Sequence, residues 1–154
     1  MLNQYAVDIM PGEYTFREHT TGGPTDKIYE ESCFIERFRM MLLMEAGPEL
    51  WLARATPRAW LEQGRKISVR NAPTHFGTVA YEIVSDTDNG KISATVELPS
   101  RVAPQVVLLR LRHPKAAPMA GVTVNGKPWP EFSRDTETIT LKGLTGRISV
   151  VASY

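Results

Sequence analysis

The spacing of apolar positions changes along the chain, from a helical period before Gly47 to alternation after it. Over residues 27–46, Ile28, Phe34, Ile35, Phe38, Met41, Leu42 and Met44 mostly recur three or four apart, which predicts a helix with one broad apolar stripe. Asp26 suits the N-cap, and Gly47-Pro48 suits the stop. Glu30, Glu31 and Glu36 precede Arg37 and Arg39, the charge order that a helix dipole favours. Upstream, residues 2–10 read as a short helix ended by Pro11-Gly12, and residues 12–26, rich in Gly, Thr and Pro, as an irregular loop.

Beyond Gly47 the alternation of strands takes over. Glu49–Ala55 sets Leu50 and Leu52 against Trp51 and Ala53. Thr56-Pro57 is a favourable helix start and Gly64 a stop, so Pro57–Gln63 is expected to be a two-turn helix. Alternating strands follow at Lys66–Asn71, Thr78–Ser85, Lys91–Leu98, Gln105–Arg112, Gly121–Val124, Thr138–Leu141 and Arg147–Ala152. Asn89-Gly90 and Asn125-Gly126 read as hairpin turns, the second continuing to Trp129. Short strands recurring at roughly 8–12 residues indicate a sandwich or barrel. The expected fold is mainly β: an antiparallel β-sandwich of about 7–9 strands with an N-terminal helix packed against it. Intervals this short leave no room for crossover helices and argue against a parallel sheet. The expected division is a helical segment over residues 1–47 and a sandwich over residues 48–154.

A length of 154 residues is enough to bury a core without metal or disulfide staples. The 18 basic and 17 acidic residues leave a net charge of +1, which gives no electrostatic reason to expect nucleic acid or an anionic membrane as partner. The single cysteine, Cys33, excludes an intramolecular disulfide framework. No 18-residue apolar run is present, and the start MLNQYAVDIMPGEY lacks a signal-peptide pattern. A cytoplasmic location is expected for the chain as it stands, although a longer parent protein could be exported.

Candidate chemistry is sparse. His19, His75 and His113 are far apart and no Cys or His pair has metal-ligand spacing, so no metal or other cofactor is expected. Cys33 beside Phe34 reads as a small apolar residue of the helix rather than a nucleophile. Gly22-Gly23 and Gly143–Gly146 lack the strand–glycine–helix context of a phosphate loop. Glu30, Glu31 and Glu36 could supply paired carboxylates but equally suit a solvated helix face, and Asp86 and Asp88 sit where turns favour Asp. The unusual stretch is Trp51–Phe76, in which Trp51, Trp60, Arg58, Thr74, His75 and Phe76 have the composition of a sugar-stacking platform. Trp51 and Trp60 fit a plug between helix and sandwich as well.

These residues also carry a family resemblance. LWLARATPRAWL at Leu50–Leu61, PTHFG at Pro73–Gly77 and the VNG hairpin at Val124–Gly126 resemble the C-terminal end of bacterial glycoside-hydrolase-like proteins, in which a six-hairpin (α/α)6 toroid precedes a β-sandwich. The likeness runs over residues 26–154, with the first two segments more specific than the hairpin. It implies a non-catalytic sandwich domain that supports a catalytic toroid, the helical segment being the remnant of the last toroid helix. About a dozen helices would form such a toroid and this chain has room for one or two, so its acid and base carboxylates have no counterpart here and no catalytic residue is assigned. The chain is then expected to be a C-terminal fragment. Arg58, Trp60, Thr74, His75 and Phe76 are the candidate glycan-binding residues. An independent carbohydrate-binding module is one alternative. A module that dimerises through the Phe34–Met44 helix face is another.

Overall fold

The computed structural model describes residues 28–154, so the expected helix at residues 2–10 and loop at residues 12–26 lie outside the described residues. The chain divides into two compact units, residues 1–41 and 42–154. Helix α1 spans Ile28–Leu42, ending four residues earlier than its pattern suggests. Within it the Phe34 and Phe38 rings stack one turn apart, with centroids 6.3 Å apart. Tyr29, Ile35, Phe38 and Met40 are exposed on this helix.

The early helix end has a physical cause. Leu43–Ala46 is good helical sequence, yet it forms strand β1 and pairs antiparallel with β2 (Glu49–Leu52). Gly47-Pro48, expected as a helix stop, is the hairpin turn between them, and Gly47 takes the left-handed φ of 57°. The Leu42 carbonyl accepts from the Ala53 N–H at 2.7 Å and from the Tyr81 hydroxyl at 2.8 Å, so the sandwich takes the place of a further helical turn. Residues 43–46 therefore belong to a sheet rather than to a helical segment ending at residue 47.

The remaining strands are β3 (Lys66–Thr74), β4 (Gly77–Asp86), β5 (Lys91–Glu97), β6 (Val106–Arg110), β7 (Gly121–Val124), β8 (Lys127–Pro128), β9 (Phe132–Ser133), β10 (Thr138–Leu141) and β11 (Arg147–Ser153). They form a five-stranded sheet, β1-β2-β6-β10-β9, and a six-stranded sheet, β3-β4-β5-β11-β7-β8. Alternation puts Leu43, Leu50, Leu52, Val107, Leu109, Ile139 and Leu141 of the first sheet into one core. Ile67, Val79, Tyr81, Ile83, Ile92, Val96, Ile148 and Val150 of the second meet them there. The mainly β sandwich expected from the sequence is the observed fold, with one exception in pairing. β2 and β6 are parallel, with Glu49 opposite Val106 and Leu52 opposite Leu109. The long connection that a parallel pair requires is supplied by β3, β4 and β5, which cross to the other sheet and back.

Two turns differ from expectation. The Pro57–Gln63 helix is reduced to one 3-10 turn, Arg58–Leu61. The Asp86–Gly90 connection is a 3-10 turn at Thr87–Asn89, closed by Gly90 at a left-handed φ of 64°. The Asp86 carboxylate accepts from Asn89 Nδ2 at 2.9–3.0 Å and from Gln63 Nε2 at 3.3 Å, and these bonds hold its carboxyl below the usual range. By contrast Asn125 and Gly126 both have positive φ, 49° and 76°, between the paired Val124 and Lys127, as a two-residue hairpin requires.

β3 continues past Asn71 through a bulge, where Asn71 itself has a φ of 52°. The following turn is closed by Gly77 at a φ of 123°, where a Cβ would lie 3.1 Å from Arg101 Cβ. Gly77→Ala is expected to cost about 2 kcal/mol, from backbone strain and from this contact together. Urea unfolding measures it.

Candidate functional site

The five candidate residues fall into two groups at opposite ends of β3. At roughly 3.3 Å per residue, β3 itself runs about 25 Å between the two turns that carry them. Thr74, His75 and Phe76 share the β3–β4 turn. The Thr74 hydroxyl donates to the Gly77 carbonyl at 2.6 Å and accepts from the Phe76 N–H at 3.2 Å, which shapes the turn. Phe76 enters the core at 3% exposure. His75 sits exposed at the tip, its N–H donating to Glu45 Oε2 at 2.8 Å and its Nδ1 touching the same oxygen.

Arg58 and Trp60 lie on the 3-10 turn after β2. Trp60 is half-buried against the core. The Arg58 guanidinium grips Glu137 through both oxygens at 2.6 and 2.8 Å, and donates to the His113 carbonyl at 2.6 Å. Glu137 is buried, and its backbone takes a left-handed φ of 55°. Its carbonyl accepts from the Leu111 N–H at 3.0 Å, so this turn is also tied through its backbone to the residue that follows β6. Arg112 Nε lies 3.4 Å from Glu137 Oε2 and Arg110 Nη2 lies 3.9 Å away.

Glu137 thus joins three distant segments: the turn after β2, the run leaving β6 and the run entering β10. The outward Arg110 and Arg112, alternating with inward Leu109 and Leu111, are legible in the sequence as a basic strand flank. The acid that answers them sits some 25 residues away in a turn with no sequence signature. Only the need of such a flank for a counter-charge points to it.

His113 and Tyr154 complete the cluster. The rings lie 4.9 Å apart between centroids, and the Tyr154 hydroxyl donates to the Leu111 carbonyl at 2.9 Å. Burial pushes the Tyr154 phenol up, as it does that of Tyr81. His113 Nδ1 accepts from the Lys115 N–H at 3.2 Å and the Ala117 N–H at 3.4 Å, an arrangement that assigns the proton of the neutral ring to Nε2. Burial, then Lys115 and Arg58, push this imidazole below its ordinary value of 6.5, with Glu137 opposing. The unfolded chain therefore binds a proton at His113 more readily than the folded one. Stability from this residue is complete above about pH 6.5 and is lost as pH falls through the window below it. Urea midpoints from about pH 7.5 to about pH 5 should show the decline, and His113→Gln should flatten it.

Chemically the cluster is a cross-brace. Both Glu137 oxygens are engaged by guanidinium donors, which leaves no carboxylate pair for acid–base work. Among the described residues no group of three or more His, Cys, Asp or Glu is placed to hold a metal ion. No helix of the described residues is long and apolar enough to cross a membrane.

No protein-family model matches the chain, and no curated protein matches it. Solved structures that resemble it in part include the following three. One is an uncharacterized protein from Listeria monocytogenes EGD-e in complex with α-D-glucose, β-D-glucose, magnesium and calcium, with 10% identity and a TM-score of 0.45 over 68% of this chain. A cycloalternan-forming enzyme from Listeria monocytogenes, in complex with a pentasaccharide substrate, gives the same figures. A glycoside hydrolase gives 13% identity and a TM-score of 0.44 over 81% of this chain. The chain spans 10% of the length of each of the first two and 19% of the third.

Proposed function

We infer that this chain is a non-catalytic β-sandwich domain of a glycoside-hydrolase-like protein, with the role of supporting an (α/α)6 catalytic domain. One observation carries the reading: the segments in which the chain resembles those proteins are spent on building the scaffold. In Thr56–Leu61, Thr56 and Leu61 are fully buried and Arg58 braces Glu137. In Pro73–Gly77, Thr74 shapes a turn and Phe76 fills the core. A signature that encodes turns, a brace and core contacts is what a supporting domain needs, whereas a hydrolase also needs two free carboxylates across a cleft.

The expected result is no hydrolysis of a broad panel of aryl glycosides and oligosaccharides by the purified chain. Sustained turnover that follows the protein through successive columns, and that disappears with a single carboxylate substitution, would overturn this reading.

A further inference from the structure

The brace around Glu137 has more positive charge than it can use. Arg58 takes both carboxylate oxygens in a fork at 2.6 and 2.8 Å. Arg112 Nε, 3.4 Å from Oε2, makes no hydrogen bond and is a buried N–H without a partner. Arg110 stands 3.9 Å off. Arg54 is exposed, and among the described residues no carboxylate lies within 4.0 Å of it. Three guanidinium groups thus gather within 4.0 Å of one acid, and Arg54 carries a fourth positive charge outside that group. The guanidinium of Arg110 is pushed below its ordinary range by burial first and next by Arg112, with Arg58 and Arg54 adding to this and Glu137 opposing.

The three surplus arginines are held rather than loose. Arg110 donates to the Thr136 carbonyl at 2.9 Å and the Arg54 carbonyl at 3.0 Å, and Arg112 donates to the Thr56 carbonyl at 3.2 Å. Arg54 lies over the Trp51 indole, 4.9 Å from its centroid. A guanidinium has five N–H donors, so each of these keeps several to offer, and their stems are already ordered before anything binds. The Arg110 and Arg112 side chains remain 28% and 24% exposed. Trp51 is half-buried on the outer face of the five-stranded sheet, beside Leu108 of the neighbouring strand.

We propose that Arg54, Arg110 and Arg112, with Trp51 beside them, form a binding site for the carboxylate of an acidic saccharide. The planar forks of arginine match a carboxylate through paired hydrogen bonds. An indole at the margin suits the C–H face of the sugar ring that bears it. A neutral glycan would leave the surplus charge unanswered. The assignment of a saccharide rests on the carbohydrate setting proposed above, whereas the demand for an anion rests on the arginines alone.

Calorimetric titration of the 154-residue chain with trigalacturonate and with its methyl ester separates charge from sugar. The acid should bind, and the ester should bind at least about tenfold more weakly, because only the charge has been removed. Arg54→Glu reverses one exposed charge without touching the Glu137 brace, and should weaken the acid by about tenfold as well. Raising the salt should weaken it further. The proposal is overturned if the acid fails to bind, if acid and ester bind alike, or if Arg54→Glu leaves binding unchanged. A poly-glutamate peptide that binds as well as trigalacturonate would overturn the saccharide assignment. None of these results bears on glycoside turnover, so this site and the scaffold reading fail separately.

Discussion

Glu137→Gln is expected to lower the unfolding free energy by about 3 kcal/mol, since removing one partner of a buried ion pair leaves the others uncompensated. The glutamine is nearly isosteric, so the loss reads out charge rather than volume. Its amide keeps one accepting oxygen and turns an NH2 donor toward the fork that Arg58 makes with both carboxylate oxygens at 2.6 and 2.8 Å. It also removes the only negative charge within 4.0 Å of Arg58, Arg110 and Arg112 among the described residues. The figure is set at the low end because the three arginine side chains keep 24–30% of their surface in water, where screening softens their repulsion. Arg58→Gln should cost less than Glu137→Gln, because Arg110 and Arg112 still neutralise the buried carboxylate. Urea unfolding of both variants decides the matter: a loss under about 1 kcal/mol for Glu137→Gln would mean that the brace is ornamental.

Why the brace escapes sequence reading, while the sheets do not, comes down to range. The strands of the six-stranded sheet announce themselves because each side chain answers to a core on one face, and the period of two is local. β5 and β11 alternate cleanly, and the Asn125-Gly126 turn is dictated by two adjacent residues. β1 is hidden for the opposite reason. Leu, Met, Glu and Ala all favour helix, and the pairing with Glu49–Leu52 overrides that preference. The parallel alignment of β2 with β6 is set by residues more than fifty positions apart and leaves no local mark.

The candidate site shows the same division. Thr56–Leu61 and Pro73–Gly77 stand out as unusual segments. Their rare residues suggest a binding platform, but composition does not say which way a side chain points. Phe76 points into the core, whereas His75, its neighbour, stands at the surface. Arg58 is conspicuous without its partner, since Glu137 lies 79 positions later and its turn has an ordinary sequence. What distinguishes Glu137 is burial and a left-handed backbone, neither of which a single sequence displays.

Leu109→Ala should be the costliest of the core truncations, at about 4 kcal/mol, while Leu108→Ala should cost about 1 kcal/mol. The two leucines are adjacent in β6, so intrinsic strand preference and chain position are nearly the same for both. Only the face differs. Leu109 is completely buried and lies between Leu52 of the parallel strand β2 and Ile139 of the antiparallel strand β10. Its removal opens a cavity in the middle of the five-stranded sheet, walled by strands that pair on both sides and cannot collapse inward freely. Leu108 points outward beside Trp51 and is only half-buried, so truncation there exposes surface without leaving a void. Equal losses would show that β6 does not hold the register in which Leu109 opposes Leu52. A one-residue slip would exchange the two faces, and with it the ranking of the two variants.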